Sequence, residues 1–159
     1  MPYDIRSEVL PEQFTAVITG TVPFAEVSVW LPIAYDDVFA VLARQGIEPV
    51  GPPFARYDMR SDGFVMEAGA PIARPVSPEG RVIPGTLPSG PVAITTHVGP
   101  YDRLGDAVDA LTAWVVAQGS TPAGAHWEIY YSDPILEPDP ASWRTDVVLP
   151  MVAEPVLAR

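Results

Sequence analysis

The segment Trp127, Glu128, Ile129, Tyr130, Tyr131, Ser132 sets one carboxylate among aromatic rings. Read as a strand, its alternation puts Glu128, Tyr130 and Ser132 on one face and Trp127, Ile129 and Tyr131 on the other. A carboxylate on an aromatic face is costly to desolvate unless it gains a charged or hydrogen-bonding partner. Three readings follow from that cost. Glu128 can select an aromatic cation, with each Tyr or Trp face adding a cation–π attraction of about 0.5 to 2 kcal/mol. Its pKa can be raised toward neutrality, making it a general acid or base on a water held by tyrosine hydroxyls. Or it is a structural ion-pair partner of Arg56 or Arg144.

Other residues join the candidate site with two readings each. Glu67, in FVMEAGAPI, alternates with Val65 and Gly69 and is either a second acid near the sheet centre or a paired edge residue. His97, just before GPYD, either orients a ligand or satisfies a backbone carbonyl. Tyr101, in that turn, packs at a helix start or rims a cleft. Trp143 caps the cleft or packs under a loop, whereas Trp114 falls beside an apolar helical stripe and is expected in the core. A metal site is not expected, because His97 and His126 lack zinc-ligand spacing and no third ligand is suggested nearby. No cofactor is expected either. The chain has no glycine-rich phosphate loop with its lysine and no G-x-S-x-G elbow for a nucleophilic serine.

A repeat organises the elements that carry these residues. Gly46, Pro49, Gly51, Phe54 and Tyr57 recur 73 positions later as Gly119, Pro122, Gly124, Trp127 and Tyr130. Tyr57 thus matches Tyr130, and Ala55 stands where the second copy has Glu128. Ahead of the first glycine, Leu31 to Gln45 has helical apolar spacing, with Pro32 placed as a first-turn proline. Ahead of the second, Leu104, Val108, Leu111 and Val115 recur at i, i+4, i+7 and i+11, with Asp102 as a candidate N-cap. Strands are expected over Gln13 to Val22, Phe54 to Met59, Phe64 to Ala70, Val92 to Val98, Trp127 to Ser132 and Thr145 to Leu149. Arg60, Ser61, Asp62 and Gly63 form a hairpin turn. The pattern predicts strand, helix, strand, strand, twice: an α+β fold of two βαββ modules with pseudo-two-fold symmetry. One antiparallel sheet would carry both helices on one face and a ligand cleft on the other. The proline-rich stretch 71 to 91 reads as a linker between the halves, or as a lid.

Length and composition bound the function. At 159 residues the chain fits one domain, 1 to 159, with halves at about 8 to 73 and 91 to 152. Hydrophobic residues make up 48% and charged residues 18%, as in ordinary folded chains. The net charge of −11, with nine basic residues in all, argues against a nucleic-acid surface and favours small cations or simple solubility. With no cysteine, disulfides and thiol catalysis are excluded. The charged start MPYDIRSEVL is no signal peptide, and no apolar run is long enough to span a membrane, so a cytoplasmic location is expected. Monomer and homodimer both remain open.

VGPYDRLGDAVDALTAWVVAQG, then PAGAHWEIYYSDP, then WRTDVVLPM, together resemble the GyrI-like small-molecule-binding family, also called the AraC-type effector-binding domain. GPPFARYD and FVMEAGAPI in the first half agree, and the resemblance spans about residues 8 to 152. It implies paired βαββ modules that bind lipophilic, often cationic molecules in a groove. It also implies that the acid of the W-E-x-Y strand, here Glu128, touches the ligand, with Tyr130 and Tyr101 as its aromatic neighbours. Many relatives carry a helix-turn-helix region before this domain; none is seen here, so direct transcriptional control is not expected. Stand-alone members resemble drug-binding or sequestering proteins, gyrase-interacting proteins, or hydrolases that open the cyclopropane ring of DNA-alkylating antibiotics. The resemblance therefore leaves a binder, a hydrolase acting through Glu128, Tyr130 and Tyr101, and a protein-interaction role side by side.

Overall fold

The structure is a computed structural model that describes residues 3–133 and 135–152; Pro134, of the D-P pair, lies outside the described residues. In chain order the elements are β1 (Ile5–Leu10), β2 (Gln13–Pro23), α1 (Val27–Gln45), β3 (Phe54–Met59), β4 (Gly63–Pro71), β5 (Ile83–Leu87), β6 (Gly90–Val98), α2 (Leu104–Ala117), β7 (His126–Tyr130) and β8 (Arg144–Pro150). The fold is α+β, and the strand pairs within each half are antiparallel.

The chain divides into two compact units: Glu12–Pro88, and the residues up to Pro11 together with those from Ser89 onward. In the contiguous unit the strands run β3, β4, β2, β5, and α1 packs on β2 and β4. In the discontinuous unit they run β7, β8, β6, β1, and α2 packs on β6 and β8. Each unit thus contains the expected strand, helix, strand, strand, plus one further strand. In the discontinuous unit that strand is β1, which pairs with β6 from Ile5 opposite Thr95 to Leu10 opposite Gly90.

The further strand of the contiguous unit corrects the reading of 71 to 91. That stretch is not all linker, because Ile83–Leu87 inside it pairs with β2. Pro84 lies within β5, and the strand tolerates a residue that cannot donate because only one of its sides is paired within the unit. The loop before β5 is tied to α1 by Arg44–Glu79 and Arg81–Asp37 ion pairs and by a Gln45 side-chain hydrogen bond to the Ser77 carbonyl.

Both helices end as the repeat requires. Gly46 has φ 66° and Gly119 φ 82°, a left-handed conformation that is nearly free of cost only for glycine. The helix starts differ from expectation. Helix α1 begins at Val27, four residues earlier than Leu31, so Pro32 sits inside it and costs that turn a backbone hydrogen bond. Asp102 lies within a 3-10 turn, Tyr101–Arg103, and no side chain caps the start of α2. The helix faces are buried by Ala34, Val38, Val41 and Leu42 in α1, and by Leu104, Ala107, Leu111 and Val115 in α2. Burying each Val or Leu contributes about 1.5 to 3 kcal/mol.

Candidate ligand-binding site

Register decides which side of each sheet a residue occupies, because residues opposite one another share a face. Glu128 stands opposite Val147, and Tyr130 opposite Thr145. Val147 packs with Ala93, Ala107, Leu111 and Val115 against α2, and Tyr130 packs on the same cluster. Glu128 and Tyr130 therefore lie on the face that α2 covers, not on the helix-free face where the sequence reading sets its cleft. Alternation pairs the two side chains, but it does not say which face receives the helix. The helix-free faces are closed at their centres as well, since Phe54 and Val17 in one unit and Trp127 and Val148 in the other are buried. The strand also stops at Tyr130, short of Ser132, whose Oγ accepts from the Arg144 backbone N–H instead.

Glu128 is 6% exposed, and both its oxygens are engaged. The Tyr130 hydroxyl donates to its Oε1 at 2.8 Å, and His126 Nε2 lies 3.0 Å from its Oε2. The expected arginine partners are engaged elsewhere, Arg144 lying 3.8 Å from Asp146 and Arg56 standing opposite Glu67, while the neighbour that meets the Glu128 carboxylate is the His126 ring. The signal for His126 is in the strand, because His126, Glu128 and Tyr130 share a face by the same period of two. Aromatic rings extend the site. The Tyr101 ring meets Tyr130 edge-on at 5.6 Å and Trp143 at 4.7 Å with a 33° tilt. Burial, then the charges of Asp133 and Glu128, push the Tyr101 hydroxyl above its usual range, so it stays a neutral donor. Trp143 is fixed from behind by donating Nε1 to the Glu137 carbonyl at 2.6 Å. Thr145 Oγ1, buried opposite Tyr130, has no hydrogen-bond partner, and nothing in the sequence signals it.

Of the remaining candidates, His97 flanks this cluster, standing opposite the same Thr145 that Tyr130 faces. His97 is buried, with Nε2 3.1 Å from the Pro100 carbonyl and Nδ1 2.9 Å from the Tyr3 hydroxyl, so its carbonyl reading fits the geometry. Trp114 is partly buried against the α2 cluster. Tyr57 and Glu67 belong to the other unit, on opposite faces of its sheet: Tyr57 opposite Met66, and Glu67 opposite Arg56. Burial pushes the Glu67 carboxyl up, and the Arg56 charge pulls it partly back. A separate hollow of about 360 Å³ at the end of α1, lined by Phe39, Leu42, Ile47 and Pro49 among others, contains none of the candidates. Among the described residues no group of three or more His, Cys, Asp or Glu is placed to hold a metal. No helix among them is long and apolar enough to cross a membrane.

The family model of the GyrI-like small-molecule-binding domain matches residues 3–152. The chain belongs to this family. No curated protein matches it. Among solved structures, the EcmrR C-terminal domain superposes with a TM-score of 0.84 at 21% identity, covering 96% of this chain and 99% of that one. In the EcmrR–DNA complex the match has a TM-score of 0.83 at 21% identity and covers 94% of this chain but 57% of the EcmrR chain. SAV2435 bound to tetraphenylphosphonium gives 0.66 at 10% identity, with coverage of 96% and 95%. A structure described as a hydrolase from Listeria innocua gives 0.64 at 15% identity, with coverage of 95% and 93%. At these identities the likeness is one of fold.

Proposed function

We propose that this chain binds planar, hydrophobic cations, with Glu128 supplying the countercharge and Tyr101, Tyr130 and Trp143 the aromatic surface. The observation that carries the reading is a buried carboxylate held by a tyrosine and a histidine beside three contiguous aromatic rings. A carboxylate so placed attracts a desolvated cation more strongly than one in water, and ring faces add to it. The tetraphenylphosphonium held by SAV2435, a protein of like fold, supports a hydrophobic aromatic cation as ligand, although that cation is tetrahedral and not planar. Titration with tetraphenylphosphonium, followed by tryptophan fluorescence, tests this. Glu128→Gln should weaken binding by on the order of tenfold or more, equivalent to about 1.4 kcal/mol, while a neutral aromatic of similar shape loses little. Equal losses for both ligands would refute the charge role.

A second reading, favoured by the Listeria innocua hydrolase of like fold, makes Glu128 the base that activates water against a cyclopropane-bearing electrophile. It predicts a product heavier by one water in mass spectra of chain mixed with such a compound. Glu128→Gln would then stop turnover and leave binding of the intact compound largely unchanged.

A further inference from the structure

Glu128 already has a neighbour that can become a cation. His126 Nε2 lies 3.0 Å from Glu128 Oε2, and the histidine and glutamate side chains are 16% and 8% exposed. A carboxylate oxygen only accepts, so Nε2 donates its hydrogen to it, and the other ring nitrogen is where a further proton can be gained. Histidine is the side chain that ordinarily changes charge between about pH 5 and 8. With the imidazole neutral, the pair carries the full charge of Glu128; with the imidazolium, it carries none. The Tyr130 hydroxyl donates to the other carboxylate oxygen and contributes a dipole, not a charge. Among the described residues of this unit, the other charges around the pair are few. From α2 the covering side chains are Leu104, Ala107, Leu111 and Val115, while its acids Asp106 and Asp109 are exposed. From β8, Thr145 and Val147 share the face and are uncharged. Tyr101 stays neutral, and Asp133, whose charge reaches it, is exposed. His97, the other of the chain's two histidines, is set apart from Glu128 by Thr145 and Tyr130 and engaged by Tyr3 and the Pro100 carbonyl.

We infer that His126 decides when the site accepts a cation: neutral, it leaves the Glu128 charge to the guest, and protonated, it supplies the countercharge itself. The inference rests on the cation-binding reading above. A cationic guest and the proton on His126 then compete for one carboxylate. By linkage, whatever favours the protonated ring weakens the guest, and a bound guest holds the ring neutral. Affinity is therefore full above the histidine range and falls as pH drops through it. A neutral aromatic guest gains nothing from the carboxylate charge and meets no such competition. His126 is thus a positioning residue that acts through Glu128. In the other unit the matching places are Pro53 and Ala55, so the acid and its competitor are present together or absent together.

The test is a calorimetric titration of the full chain with tetraphenylphosphonium chloride between about pH 8 and 5.5, with triphenylphosphine oxide as the neutral probe. Affinity for the cation should fall about tenfold or more across that interval, and mid-interval binding should release protons, seen as a heat that depends on the buffer. His126→Gln keeps an amide N–H for Glu128 but cannot gain a proton, so it should flatten the profile and leave affinity at the alkaline end within about threefold. His97→Gln should leave the profile in place. A flat wild-type profile, a profile that persists in His126→Gln or vanishes in His97→Gln, or an equal slope for the phosphine oxide would overturn the inference. Should thermal melting show His126→Gln to be unfolded, the proton release that survives in His97→Gln decides. Failure of the cation to bind at the alkaline end would sink the cation-binding reading too, whereas saturable binding with a flat profile sinks this inference alone.

Discussion

The two units share a strand order and a helix position, but only one of them carries an acid on its helix side. On the helix side, His126, Glu128 and Tyr130 of the discontinuous unit correspond through the repeat to Pro53, Ala55 and Tyr57. Only the tyrosine is common. On the helix-free side, Asp146 stands opposite Ile129 and Glu67 opposite Arg56, which are themselves repeat partners, so the two acids occupy matching places. Asp146 is satisfied: Thr96 Oγ1 donates to it at 2.6 Å and Arg144 lies 3.8 Å away. Glu67, with Thr19 in the place of Thr96, keeps an orphaned oxygen. One backbone plan thus hosts a structural acid in one copy and an unsatisfied acid in the other, and the neighbours rather than the fold decide which.

The largest effect is expected from forcing the copies to match. Ala55→Glu places a carboxylate at a site that is 0% exposed, with Pro53 where His126 would be needed. It should cost at least about 3 kcal/mol, read as a lowered urea midpoint; a neutral outcome would break the comparison. Next, Asp146→Asn removes a charged acceptor from Thr96 and should cost about 1 to 3 kcal/mol by the same measurement.

Glu67→Gln should do least, within about 1 kcal/mol at neutral pH. Its sign sharpens the contrast. Because burial raises this carboxyl in the folded chain, ionisation costs stability in full above the folded value, and the cost fades as pH falls through it toward the ordinary carboxylate range. The wild-type chain should therefore gain on Glu67→Gln as the solution is acidified from neutrality, as paired urea titrations at two pH values would show.

Much of the architecture is legible in the residues themselves. The repeated glycines announce two left-handed helix ends, and alternation puts Glu128 beside Tyr130. Direction is what alternation withholds: period two separates two faces but does not name the one a helix covers, so the expected cleft falls on the side away from Glu128. Nor do β1 and β5 carry a strong signal, since both are short and lie in stretches where charge or proline masks alternation. Helix α1 starts early because packing tolerates Pro32 inside it, a tertiary override of propensity. Thr145 becomes visible only once partners can be counted around each buried oxygen.

The strand β1 leaves the ribosome well ahead of β6, the strand it pairs with, since Leu10 ends opposite Gly90 and about 80 residues separate them. At about 5 to 20 residues per second, it waits roughly 4 to 16 seconds with its hydrogen-bonding groups unclaimed. The intervening unit is contiguous, so all the strand pairings within it join residues made before β6 is complete, whereas the β1 pairing must wait for β6.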